Sequence, residues 1–207
     1  FTEPPGYYVP GYLAVVVLFT PLSRVGSEVA RHREDNRFEK LATTPLRRWE
    51  WLAAQTLVNV GIIGVAAAGI LLLVVAVTGA SIVFSPLLVP FVVLGVALFC
   101  GLGAILGSLS DSSDGVIAAS NGIALPLLFL SETFVPQSLL PEWLPLWVSP
   151  LTYFSRGVRA VAYEPPDTLA TSQVPGGLGV AESNLLVLAA LTLAFFVVGA
   201  VTLPRTD

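Results

Sequence analysis

The sequence predicts an all-α, polytopic helical membrane protein, and three observations carry that prediction. From residue 51 to residue 110 the chain contains no Asp, Glu, Lys or Arg. As one helix, at about 1.5 Å per residue, that run would reach roughly 90 Å against a hydrocarbon layer of about 30 Å, so it must fold back as two spans. Charged residues make up 12% of the chain, half of the roughly 25% usual in soluble domains, and mean hydropathy is +0.81. The apolar runs are continuous rather than alternating, which excludes an outer-membrane barrel. In lipid, such runs satisfy their backbone groups as helices.

Five spans follow in order, each near the 17–25 residues a crossing needs. The first runs from Val9 to Val25, with Pro21 expected to kink it. The charge-free run supplies Leu52 to Val77 and Leu87 to Leu109, separated by Gly79 and Pro86. The fourth runs from Val116 to Phe134 around Pro126, and the fifth from Leu185 to Leu203, closed by Pro204. Phe1-Thr2-Glu3-Pro4-Pro5-Gly6 has neither a start methionine nor a signal-peptide n-region. Residues 1–207 therefore read as a single membrane domain that lacks its first span, five of an expected six.

Orientation comes from Lys and Arg. Seven basic residues crowd between Arg24 and Arg48. With that island cytoplasmic, Asp111–Asp114 becomes a tight cytoplasmic turn and Arg205 is cytoplasmic too, leaving only Arg156 and Arg159 outside. The expected location is thus the plasma membrane, multi-pass, with the island and the C-terminus inside. A net charge of −4 argues against nucleic-acid binding. Cys100 stands alone, which excludes an internal disulfide.

The island alternates in sign through Glu28, Arg31, Arg33, Glu34, Asp35, Arg37, Glu39 and Lys40, as a solvated helix with i,i+4 pairs does. Phe38 and Leu41 give it a thin apolar stripe. Thr43-Thr44-Pro45 then breaks it, with a threonine placed to cap the next helix, and Trp49 and Trp51 serve as interfacial anchors. Two readings stay open: a surface loop obeying the charge rule, or a docking site for a cytoplasmic partner.

Arg33-Glu34-x-x-x-x-Glu39-x-Leu41-x-x-Thr44-Pro45-Leu46 between two spans resembles the segment after the second span of type-2 ABC export permeases. A second block resembles that family's signature after its fifth span: Phe129-Leu130-Ser131, Pro136, Leu140-Pro141-x-Trp143-Leu144 and Ser149-Pro150-Leu151-Thr152-Tyr153, ending at Arg159. The chain departs from the family at Asn36-Arg37, where Gly-Thr is usual, and at Glu132, where Gly is usual. The resemblance implies that the island is a coupling helix gripped by a separate ABC ATP-binding subunit through Glu34, Phe38, Glu39 and Leu41. It also implies a paired permease, such as a homodimer, with ATP and magnesium bound on the partner ATPase and no cofactor on this chain.

Beyond the fourth span, residues 135 to 150 are too apolar for a free loop and too often broken by proline for a span. A re-entrant hairpin in the outer leaflet fits both facts, and residues 164 to 179 read as an exposed loop. Arg156 and Arg159 lie three apart, where they can anchor at lipid phosphates or guide an anionic substrate group. Asn59 and Asn121 can bridge helices or line a substrate path, and Glu132 is expected near the outer end, shallow enough to be wet. Gly103 and Gly107 form a Gly-x-x-x-Gly face.

Chemistry of the chain's own is not legible. The single lysine, Lys40, follows Glu39 rather than a glycine-rich phosphate loop, and His32 is the single histidine, too few for a zinc helix. No catalytic or metal residues are assigned. The leading reading is the permease subunit of an ATP-driven exporter. The alternative is a non-ABC channel or scaffold whose island binds anionic lipid.

Overall fold

The computed structural model describes residues 5–35, 47–79, 85–134, 141, 143–162 and 179–203. They form six α-helices: α1 Val9–Glu34, α2 Arg48–Thr78, α3 Leu88–Leu109, α4 Ser113–Phe129, α5 Pro150–Ala162 and α6 Val180–Thr202. Short 3-10 turns precede α1 (Pro5–Tyr8) and α5 (Leu146–Val148). No strand occurs among the described residues. Four helices, α1, α2, α3 and α6, are long and apolar enough to cross a membrane, and α4 is a shorter apolar helix. The chain is therefore a multi-pass helical membrane protein.

α3 is the centre of the bundle, with α1 on one side and α6 on the other. Within their apolar windows 61% of α1 and 56% of α3 is buried, against 17% for both α2 and α6. The last two thus turn most of their surface outward, with Leu57, Val65, Leu72, Leu193 and Val201 all exposed. Packing between spans gains little from hydrophobicity when lipid is the solvent, so close backbone approach matters more. Glycines supply it: a Cβ on Gly103 would come within 2.7 Å of the Leu22 carbonyl oxygen of α1, and one on Gly107 would collide with the carbonyl oxygen of Gly26. On the far side of α3, a Cβ on Gly101 would meet the Phe195 carbonyl oxygen of α6 at 2.6 Å. The Gly-x-x-x-Gly face is thus the α1–α3 contact. Larger side chains, Phe91, Phe99 and Phe154 among them, fill the core between these crossings.

Element boundaries differ from the sequence expectations in three informative places. α1 does not end at Val25; it continues unbroken through Pro21 to Glu34. The extension is held because Gly26, Val29 and Ala30 are buried, with Gly26 packed on Gly103 and Val116. α2 begins at Arg48, and its first turn is closed by Glu50 Oε2 accepting from the Arg47 backbone N–H at 2.8 Å rather than by a threonine. It ends at Gly79, whose φ of 63° is left-handed and suits glycine.

The expected fourth span is shorter than Val116–Phe134. It starts at Ser113, where Ser112 Oγ accepts from the Gly115 N–H at 3.1 Å, and stops at Phe129. At 17 residues it covers roughly 25 Å, the lower edge of a crossing. Leu130 to Phe134 turn instead of continuing, because Ser131 Oγ bonds the Leu128 carbonyl and also contacts Thr133 Oγ1. After this turn α5, 13 residues and too short to span, packs against α6, α1 and α3 with Leu151, Phe154 and Val158 buried. Ser149 Oγ, just ahead of it, donates to the Leu127 carbonyl at 3.0 Å and fixes α5 against α4. The expected outer-leaflet hairpin falls partly on residues 135–140 and 142, which with residues 36–46 and 163–178 lie outside the described residues.

Candidate functional site

Side-chain chemistry concentrates at the two ends of the bundle and in one groove between α1 and α4. At the basic end, helix termini are tied together by the island's own residues. Arg33 Nη1 donates to the carbonyls of Ser108 (2.7 Å), Ser110 (3.0 Å) and Gly107 (3.5 Å), the open carbonyl end of α3. A guanidinium there satisfies orphan acceptors and complements the negative end of the helix dipole. The neighbouring Glu34 Oε1 accepts from the Ser113 backbone N–H at 3.0 Å, placing a carboxylate at the positive end of α4. Arg48 does for α6 what Arg33 does for α3, donating to Leu203 (2.9 Å) and Val201 (3.3 Å). His32 stacks edge-on against Trp51, with ring centroids 5.4 Å apart, and so joins the end of α1 to the start of α2. Of the four residues expected to contact an ATPase, Glu34 is therefore exposed and engaged with α4, whereas Phe38, Glu39 and Leu41 fall outside the described residues.

At the opposite end, Glu132 is buried rather than wet, its side chain only 5% exposed. The departure has a simple cause: Arg156, one helix away on α5, holds both carboxylate oxygens, Nε to Oε2 at 3.0 Å and Nη2 to Oε1 more closely still. That hydrogen bond raises the Arg156 guanidinium above its ordinary pKa, so it stays charged at any physiological pH. Arg159 Nη2 donates to the Glu132 main-chain carbonyl at 2.7 Å, and its guanidinium lies 4.1 Å from the centre of the Tyr7 ring. The two arginines thus gather on one residue, linking the turn after α4 to α5 and to the segment before α1.

The two asparagines part company. Asn59 is fully buried in α2, where Nδ2 donates to the Gln55 carbonyl of its own helix at 2.8 Å and Oδ1 has no partner among the described residues. Asn121 is exposed and lines a cavity of about 680 Å³ between α1 and α4. Arg24, Ser27, Glu28 and Arg31 line its α1 wall. Ending α1 at Val25 hides this wall in the sequence. Extended by two more turns, the pattern Arg24, Ser27, Glu28, Arg31 at i, i+3, i+4 and i+7 is a polar stripe on one helix face.

The described side chains thus build tied helix ends, a buried ion pair and a polar groove. No cluster of metal-ligating side chains occurs among the described residues. The sequence model described as ABC-2 type transporter matches residues 2–163, from before α1 to the end of α5. Neither a curated protein nor a solved structure gives a significant match.

Proposed function

The chain belongs to the ABC-2 type transporter family and is a membrane-spanning permease, and on that premise we propose that it couples ATP hydrolysis on a separate ATPase subunit to export. The observation that carries this reading is the wiring around residues 36–46. That segment is flanked by the end of α1 and the start of α2. The end of α1 is bonded to the α3–α4 turn through Arg33 and Glu34, and the start of α2 to the end of α6 through Arg48. A push on the segment is then shared by α3, α4 and α6 rather than absorbed by a loose loop.

In this scheme the basic end faces the cytoplasm, and ATP with magnesium sits on the motor subunits. Their closure moves the coupling segment through Phe38, Glu39 and Leu41, α1 and α4 tilt together, and the route opens at the far end once the Glu132–Arg156 pair yields. Two copies are needed, because so few spans enclose no path by themselves. The test is co-purification of the ATPase subunit with the variant Phe38→Ala/Glu39→Lys. It should insert in the membrane normally and lose the motor; retention of the motor at full strength overturns the coupling assignment.

A further inference from the structure

We infer that the groove between α1 and α4 binds the anionic, phosphate-type headgroup of an amphiphile drawn from the leaflet at the basic end. The inference deepens the export reading and rests on it for the direction of entry. The Glu34–Ser113 hydrogen bond gives α1 and α4 a shared zero of depth. Arg24 lies ten residues before Glu34, roughly 15 Å along α1, and Asn121 lies eight residues after Ser113, roughly 12 Å along α4. They face one cavity at one level. Arg31 lies about 5 Å from the zero, and Arg24, counted with the cytoplasmic island when α1 was expected to end at Val25, lies about two turns deeper on the extended helix, so the groove leads from the basic end toward the apolar middle of the bundle.

The chemistry of the lining selects the ligand. Arg24 and Arg31 are both exposed, and among the described residues neither guanidinium is engaged in an ion pair or a hydrogen bond, the Arg31 main-chain carbonyl alone accepting from the Asp35 N–H at 2.9 Å. The one carboxylate on this wall, Glu28, has Oε1 3.4 Å from His32 Nδ1. Ser27, 8% exposed, has a buried hydroxyl with no partner, and Thr20 and Ser23 extend the same polar wall one turn deeper. A lone cation inside the hydrocarbon layer is costly, so an exposed arginine there calls for an anion. Two guanidiniums seven residues apart, with hydroxyls and an amide between and opposite, present donors to several oxygens at once, as a phosphate monoester requires. The cavity is open rather than enclosed and carries Phe19 on its lining, which leaves the acyl part of such a ligand in contact with apolar surface. Its volume of about 680 Å³ accommodates a phosphate, its glycerol and the first carbons of a chain.

The test is native mass spectrometry of the full chain, titrated in neutral detergent with phosphatidic acid, phosphatidylcholine or inorganic phosphate. One phosphatidic acid should be retained per chain, with neither phosphatidylcholine nor inorganic phosphate retained at the same concentration. Arg24→Gln and Arg31→Gln should each weaken retention about tenfold and Asn121→Ala about threefold, whereas Arg47→Gln, an exposed arginine outside the groove, should leave it unchanged. Equal binding by the groove variants and the natural chain overturns the assignment. So does an equal loss in Arg47→Gln, which means diffuse charge attraction, or displacement of the lipid by inorganic phosphate, which means a free anion. Failure of the natural chain to retain phosphatidic acid, while the ATPase subunit co-purifies with it, condemns the groove alone. Retention of the ATPase subunit by Phe38→Ala/Glu39→Lys, with phosphatidic acid still retained by the natural chain, condemns the coupling scheme alone.

Discussion

Removing the two partners of the Glu132–Arg156 pair should not cost the same, and the asymmetry can be worked from their burial. The Glu132 side chain is 5% exposed and the Arg156 side chain 35%. Arg156→Ala strands a carboxylate away from water, where breaking a buried pair costs about 3–5 kcal/mol. Glu132→Ala strands a guanidinium that water already reaches, so screening cuts the penalty to about 1–2 kcal/mol. At roughly 2–4 °C per kcal/mol for a chain of this size, the expected drops are roughly 6–20 °C for Arg156→Ala and 2–8 °C for Glu132→Ala. The double variant strands no charge and should lie close to Glu132→Ala, well short of the sum. The assay is thermal unfolding of the purified full chain in detergent, read as the fraction surviving size exclusion after heating. Equal drops in the two single variants, or an additive double variant, would refute the claim that burial of the carboxylate sets the energetics at this end.

Two further predictions probe the packing and the helix ties. Gly107→Ala drives a methyl group into the Gly26 carbonyl oxygen and to 2.7 Å from Val29 Cβ, whereas Gly122→Ala meets nothing within 4 Å. The first should cost about 1–3 kcal/mol and the second should be neutral or gain up to about 1 kcal/mol in the same melting assay. Equal behaviour would mean that glycine does not set the α1–α3 approach. Arg33→Ala leaves three carbonyls at the end of α3 without their guanidinium. Hydrogen exchange should then rise between residues 106 and 115 and stay unchanged in Arg31→Ala, which makes no such bonds; unchanged exchange in Arg33→Ala would remove Arg33 from the coupling route.

What the chain determined by itself was its solvent. Sixty residues without a formal charge admit only a helical fold in lipid, and Gly79 with Pro86 had to interrupt them. The centres of the long helices, the break at Asp111 and the family resemblance were legible for the same reason: each rests on local composition and spacing, although Asp114, expected in that turn, belongs to the first turn of α4. Helix ends were not, because a terminus in a bundle is decided by what its last turn touches. α1 outlives its apolar stretch because Gly26 beds on Gly103, and α4 stops early because Ser131 and Thr133 turn the backbone.

Roles of charged residues were hidden in the same way. Nothing in the order of residues pairs Glu132 with Arg156, 24 positions away, or sets Arg33 on the end of α3. Sequence places a charge at a depth, but only the packing of distant segments decides whether it meets water, lipid or a counter-charge. In a low-dielectric bundle that meeting determines whether the residue is a latch, a cap or a lure for a ligand.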